Sequence, residues 1–232
     1  MAYRTKDFIL TQFPKTASRS LNYFIDLFYN PMEQISEDHY GLHGIDTGNL
    51  PIIVGVRNPW EWYLSYYFMY VAGLTIGLDY ITDYKKDTVV SFKQWLTELY
   101  SDKPKYRLTN VIESPWGTDP PAWKTELTGI LSLTYPRFLN LDDPFNDDRV
   151  IWIRTENHEM DLFKCLNRFV GYNHDLLQIF TRQPPRHIIN RNKLGVNIKD
   201  VAESFYDEDL WALVMEKEKV IIDKFQYKLE RP

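Results

Sequence analysis

The 232-residue sequence has one cysteine, Cys165, so no intrachain disulfide can form, which fits a reducing compartment. It has no excess of positive charge. The net charge is −5, which excludes a general polyanion-binding surface such as a nucleic-acid interface and requires any anion site to be local. It has no apolar run long enough to span a bilayer, and no apolar region of a signal peptide follows Met1–Asp7. A cytoplasmic protein with no membrane partner is therefore expected. Internal repeats and low-complexity segments are missing too. Hydrophobic residues at 44% and charged residues at 25% are ordinary for a globular chain. The length suits a single domain over residues 1–232 with a substantial core.

What is there is organised around one stretch near the start. Phe8-Ile9-Leu10-Thr11 reads as a short buried strand, and the pattern breaks at Pro14. Lys15 follows, then Thr16, Ala17, Ser18, Arg19 and Ser20, and Leu21, Phe24, Ile25 and Phe28 recur at helical spacing. Strand, tight loop and helix in that order make an anion site. The first amides of a helix have no intrahelical acceptor, and the dipole adds partial positive charge. Lys15 adds a full charge, and Thr16, Ser18 and Ser20 add hydroxyl donors. The glycine-rich nucleotide loop G-x-x-x-x-G-K-[ST] does not fit, because both glycines are missing and the lysine precedes the small residues.

A second buried strand, Ile52-Ile53-Val54-Gly55-Val56, runs into Arg57. Asn58 then reads as an N-cap, Pro59 as the first helical residue and Glu61 as the partner in a capping box. Trp60, Tyr63, Leu64, Tyr67, Phe68 and Val71 mark one face of the helix that follows. Between the two motifs, residues 32–46 read as a loop with one brief strand, carrying Glu37, His39 and His43. Residues 72–90 show no clear period. Ser91 caps a helix with Phe92, Trp95, Leu96 and Leu99 on one face. Residues 101–125, with Pro104, Pro115, Gly117, Pro120 and Pro121, form a long irregular loop of the kind used for lids and substrate walls. A second irregular stretch surrounds Asp142–Asp148. Arg149–Arg154 reads as a third buried strand, followed by Thr155-Glu156-Asn157 and a helix with Leu162, Phe163, Leu166 and Phe169 inward. Glu156 suits a carboxylate placed against a helix dipole. A last helix turns Leu210, Leu213 and Val214 inward. The aromatic share of 16% is read chiefly as core area rather than as a surface for sugar stacking.

Pro14-Lys15-Thr16-Ala17-Ser18 resembles the 5′-phosphosulfate loop of sulfotransferases, P-K-T-G-T-T or P-K-T-A-S-T. Arg19 departs from it, standing where a hydroxyl residue is usual. Arg57-Asn58-Pro59 with Ser65 resembles the family's 3′-phosphate site, R-[ND]-P-x-x-x-x-x-S-x-Y, in which the arginine and serine hold one phosphate. Arg154-Thr155-Glu156-Asn157 is similar to the family's R-x-E-[ND] segment, and Ser91–Leu96 to a substrate-side helix. Asn190–Lys193, Tyr206–Leu210 and Phe225-Gln226-Tyr227 resemble the C-terminal third of its glycan-type members, where a basic loop covers the nucleotide; Arg191 and Lys193 are the candidates here. The resemblance runs through most of the chain in order and is weakest over 72–148, where such enzymes vary their acceptor side.

The resemblance implies a three-layer P-loop-like α/β domain with a central parallel sheet flanked by helices. It implies transfer of a sulfuryl group from 3′-phosphoadenosine 5′-phosphosulfate, without a metal, to a hydroxyl or amine of a small-molecule or glycan acceptor. Lys15 would act on the leaving 5′-phosphate. Thr16, Ala17, Ser18, Arg19 and Ser20 would bind that phosphate, and Arg57 and Ser65 the 3′-phosphate. The general base is sought in the 37–43 loop, with His43 ahead of His39 and Glu37 third; the family's H-x-T-A-x-x-I segment matches His39–Ile45 only at its ends. A nucleotide kinase would need the glycines and the other lysine position. A non-catalytic nucleotide- or carbohydrate-binding protein on the same scaffold is the reading from another class, because a fold does not fix an activity. Nothing in the sequence bears on the oligomeric state.

Overall fold

The computed structural model describes residues 1–27, 29, 32–36, 41–68, 91–101, 129–170 and 198–228. Five strands, β1 (Ala2–Arg4), β2 (Ile9–Thr11), β3 (Glu33–Ser36), β4 (Ile52–Val56) and β5 (Val150–Arg154), form one sheet of order β3-β1-β2-β4-β5. The described helices are α1 (Ser18–Asp26), α2 (Pro59–Tyr66), α3 (Phe92–Leu99), α4 (Ile130–Leu139), α5 (His158–Val170), α6 (Ile198–Phe205), α7 (Glu208–Lys217) and α8 (Lys219–Phe225). Among the described residues, no helix is long and apolar enough to cross a membrane.

The sheet is mixed. β2, β4 and β5 run parallel, with Leu10 opposite Ile53 and Ile53 opposite Ile151. β1 is antiparallel to both β2 and β3. A central parallel sheet was expected; β2, β4 and β5 are parallel, and the linker explains why β1 is not. Only residues 5–8 separate β1 from β2, too few for a crossover, so the pair closes as a hairpin. Thr5 shapes the turn: its hydroxyl accepts from the Phe8 amide at 3.0 Å, and its own amide donates to the Phe8 carbonyl at 2.9 Å.

Contacts divide the chain into two compact units, Met1–Arg57 with Ser114–Gly117 and Thr134–Ile188, and Asn58–Glu113 with Thr118–Leu133 and Ile189–Pro232. In the first unit, Leu10, Ile53 and Ile153 lie on one face of the sheet. They pack with Phe8 against Leu21, Phe24 and Ile25 of α1 and Leu162, Cys165 and Leu166 of α5. Each such fully buried aliphatic side chain contributes about 1.5–3 kcal/mol. The second half of α4 covers the other face. There the Tyr135 ring meets Trp152 edge-on at 5.0 Å and stacks on Phe13 at 4.1 Å. All five residues of β4 are buried, as a central strand covered on both sides requires.

The second unit is built on aromatic rings. Trp60 of α2 stacks with Trp211 of α7, Tyr66 with Trp95 of α3, and Phe92 meets Phe205 and Tyr206 edge-on. The sequence pattern assigns α2 one apolar face, but every residue from Pro59 to Tyr66 is buried. A helix apolar on all sides is an interior helix, and its rings supply core area. Asn58 caps it, its Oδ1 accepting from the Trp60 amide at 3.2 Å, and Ser91 caps α3 by accepting from the Gln94 amide at 3.1 Å.

Candidate functional site

The loop between β2 and α1 takes an unusual path. Lys15 (φ 65°) and Ala17 (φ 55°) are both left-handed, and neither is a glycine. Each such residue costs on the order of 1–3 kcal/mol and persists only when its surroundings enforce it. The surroundings are specific. Thr16 is fully buried and donates its hydroxyl to the Phe13 carbonyl at 2.8 Å. It lies against Gly55, where an added Cβ would fall 2.5 Å from the Thr16 hydroxyl oxygen. Tyr135 stacks on Phe13 and donates its hydroxyl to the Gly55 carbonyl at 3.0 Å. Arg57 Nη1 donates to the Lys15 carbonyl at 3.4 Å. The Thr16 hydroxyl, expected as a donor to a bound anion, is thus committed to building the loop.

Beyond the loop, Ala17 is the N-cap of α1 and has no side-chain oxygen to offer. The first helical bond runs from Leu21 N to Ala17 O at 3.1 Å, so the amides of Ser18, Arg19 and Ser20 precede the ladder. The first turn carries no acidic residue to repel an anion. Because β2, β4 and β5 are parallel, the Lys15 loop, Arg57 and the pair Arg154–Thr155 leave the sheet on one edge. That carboxyl edge is where open α/β sheets bind ligands. Thr155 ties the edge together by donating its hydroxyl to the Val56 carbonyl at 3.0 Å.

Arg154 is held by Asp161 through Nε at 2.7 Å and Nη2 at 2.8 Å, and its amide reaches the same carboxylate at 3.1 Å. Burial alone would push the Asp161 carboxyl up. The hydrogen bonds from Arg154 and Asn157 outweigh that and hold it below the usual aspartate range. Arg154 therefore arrives at the edge with its charge already paired.

His43 is exposed in a turn over residues 41–44. Gly41 is left-handed (φ 58°), and a Cβ there would sit 2.1 Å from the Phe138 carbonyl oxygen. The Leu42 amide donates to that oxygen at 2.8 Å, and the Phe138 ring meets Phe13 edge-on at 5.1 Å. The turn carrying His43 thus rests on the same aromatic group that supports the residue before Pro14. Gly41 packs its backbone against α4. Arg19 lies in the first turn of α1, and Glu156 is exposed in a short 3-10 turn before α5. Ser65 is buried on α2 in the second unit, whereas Arg57 ends the first. Glu37, His39, Arg191 and Lys193 lie outside the described residues.

Gly55, Tyr135 and Asp161 are not among the residues singled out by sequence. Gly55 had a usable signal, since a lone glycine inside a buried strand marks close backbone approach. Among the described residues, no group of three or more His, Cys, Asp or Glu side chains could hold a metal ion. No family model, curated protein or solved structure matches the chain.

Proposed function

We propose that the chain is a sulfotransferase on a three-layer P-loop-like scaffold. It would move a sulfuryl group from 3′-phosphoadenosine 5′-phosphosulfate to a hydroxyl or amine of a small-molecule or glycan acceptor. The observation that carries this reading is the Lys15 loop. Two enforced left-handed residues sit between a parallel strand and an uncapped helix start, with Arg57 on the neighbouring strand reaching its backbone. Turns of this kind present successive amides to an anion.

The donor supplies an activated sulfuryl group. By analogy with phosphoryl transfer, the chain's own contribution is then positioning and charge stabilisation. Lys15 offsets charge developing on the leaving 5′-phosphate. The amides at 16–20 hold that phosphate, Arg57 and Ser65 hold the 3′-phosphate, and Arg191 and Lys193 cover the nucleotide. His43, or failing it His39 or Glu37, takes the acceptor proton. No step uses a metal.

Two measurements test this. The product nucleotide, 3′-phosphoadenosine 5′-phosphate, at about 100-fold over its Kd should stabilise folding by about 2.7 kcal/mol, with or without chelator. AMP should do much less; equal effects would remove the role given to Arg57 and Ser65. Transfer of label from the donor to a panel of alcohols, amines and sugars then separates an enzyme from a binding protein, and binding without transfer would favour the latter.

A further inference from the structure

Glu218 stands apart from that chemistry. It is the one residue between α7 and α8, and it is completely buried. Its carboxyl group sits on the first turn of α4. Oε1 accepts from the Leu131 amide at 2.9 Å, and Oε2 accepts from the Ser132 amide at 3.0 Å and the Ser132 hydroxyl at 2.7 Å. Gly129 permits this approach, since an added Cβ would fall 2.3 Å from Glu218 Cδ and 2.4 Å from the Lys217 carbonyl. All of these residues belong to the second unit.

Two phenols complete the surroundings. Tyr63 Oη contacts both Tyr100 Oη and Glu218 Oε1, and Tyr100 Oη lies 3.2 Å from the same Oε1. Three oxygens thus make three mutual contacts, and each contact needs one proton. Burial, followed by the nearby Glu218 charge, pushes both phenols well above their ordinary value, so they keep their protons. They supply two. The third must come from the carboxyl group. If Glu218 ionises, both phenols turn toward it and the contact between them sets lone pair against lone pair.

Among the described residues, the remaining groups around Glu218 offer no compensating cation. Tyr63 and Tyr100 are the titratable groups that face it from α2 and from the end of α3, and α4 presents amides and a hydroxyl. The flanking lysines turn elsewhere, Lys217 to Glu216 and Lys219 to Asp223. The helix start and the donors favour a carboxylate, but an unpaired charge removed from water costs more. Burial prevails over the hydrogen bonds and raises the Glu218 carboxyl above its ordinary value.

We propose that Glu218, seated on the first turn of α4, is a proton-dependent clasp on Tyr63 and Tyr100. Neutral, it closes the ring of three hydroxyl contacts and holds the Leu131 and Ser132 amides. Ionised, it releases its proton to solvent, leaves the ring one proton short and parts the Tyr63–Tyr100 contact. A group favoured in its neutral form by the fold gives stability that is complete below its unfolded value, about 4.3, and is lost as pH rises through the folded one.

The test compares melting temperatures of wild type and Glu218→Gln from about pH 4 to about pH 9, since glutamine cannot ionise. The wild type should fall progressively behind as pH rises. A difference that stays constant with pH, or that moves in favour of the wild type, overturns the proposal. Infrared difference spectra give a direct reading. A neutral carboxyl band should persist in the wild type at about pH 6, where an ordinary glutamate is ionised, and be missing in Glu218→Gln. Its absence from the wild type would also overturn the proposal. Should Glu218→Gln fail to fold, Tyr100→Phe replaces it. That change leaves one contact, which the Tyr63 proton alone satisfies, so the pH dependence should shrink; an unchanged dependence removes the ring.

Discussion

Thr16 lies over Gly55 so closely that a methyl group on Gly55 would fall 2.5 Å from the Thr16 hydroxyl oxygen and 2.8 Å from its carbonyl oxygen. The loop that bears Lys15 is therefore shaped by the strand beneath it. Gly55→Ala should force Thr16 off the Phe13 carbonyl, with overpacking strain of about 1–3 kcal/mol. Calorimetric titration should show the Kd for 3′-phosphoadenosine 5′-phosphate rising roughly tenfold, the equivalent of 1.4 kcal/mol. A variant with unchanged affinity and melting temperature would show that the loop yields at no cost.

Lys15→Ala and Arg57→Ala should differ in kind. Lys15 is assigned to charge that appears mainly in the transition state, so its loss should lower kcat and leave nucleotide affinity nearly intact. Arg57 is assigned to a phosphate that does not react, so its loss should mostly weaken binding. Steady-state kinetics alongside direct titration check the division. Equal losses of affinity with unchanged turnover in both variants would refute it.

His43→Ala should reduce turnover by about 10²–10⁴-fold while donor affinity is kept, if His43 is the general base. His43 is exposed in the 41–44 turn and the change removes no core packing, so the variant should keep the wild-type melting temperature. Activity within a few-fold of wild type across pH would move the assignment to His39 or Glu37.

Asp161→Asn should destabilise the first unit at neutral pH by about 1 kcal/mol. This is below the range for a charged hydrogen bond, because the Arg154 side chain is 39% exposed and solvent weakens the pair. The Asp161 carboxyl is held down, so the stability it adds is present above the unfolded value and lost as pH falls through the folded one. Melting curves of the two proteins should converge in acid. A gap that persists undiminished in acid would assign the effect to packing.

The central strands were legible in the sequence because each is a short apolar run with both faces covered, and α1, α3 and α5 because their apolar positions keep helical spacing. β1 escaped notice because three residues carry no usable period. α4 escaped because Pro136 interrupts it and its residues are buried on several sides, which erases the spacing signal. Glu218 sits in the run Glu216-Lys217-Glu218-Lys219, which reads as solvated charge; only the burial of one of the four distinguishes it. For the site, Lys15 was placed in the loop after the first strand and Arg57 at the end of the second by sequence alone; that the two strands are neighbours comes from the sheet order. The roles of Thr16, Gly55 and Tyr135 depend on a stacking across the sheet that sequence spacing does not encode.

Cys165 of α5 lies in the core that α1 and α5 form against the sheet, and burial pushes its thiol up to about 12, so the reactive thiolate is nearly absent at neutral pH. No other cysteine occurs in the chain. A cysteine introduced at an exposed position such as Asn49 would therefore be the only thiol that maleimide dyes modify in the folded protein. A single-site fluorescent reporter of the loop that follows His43 can be made without first removing the natural residue.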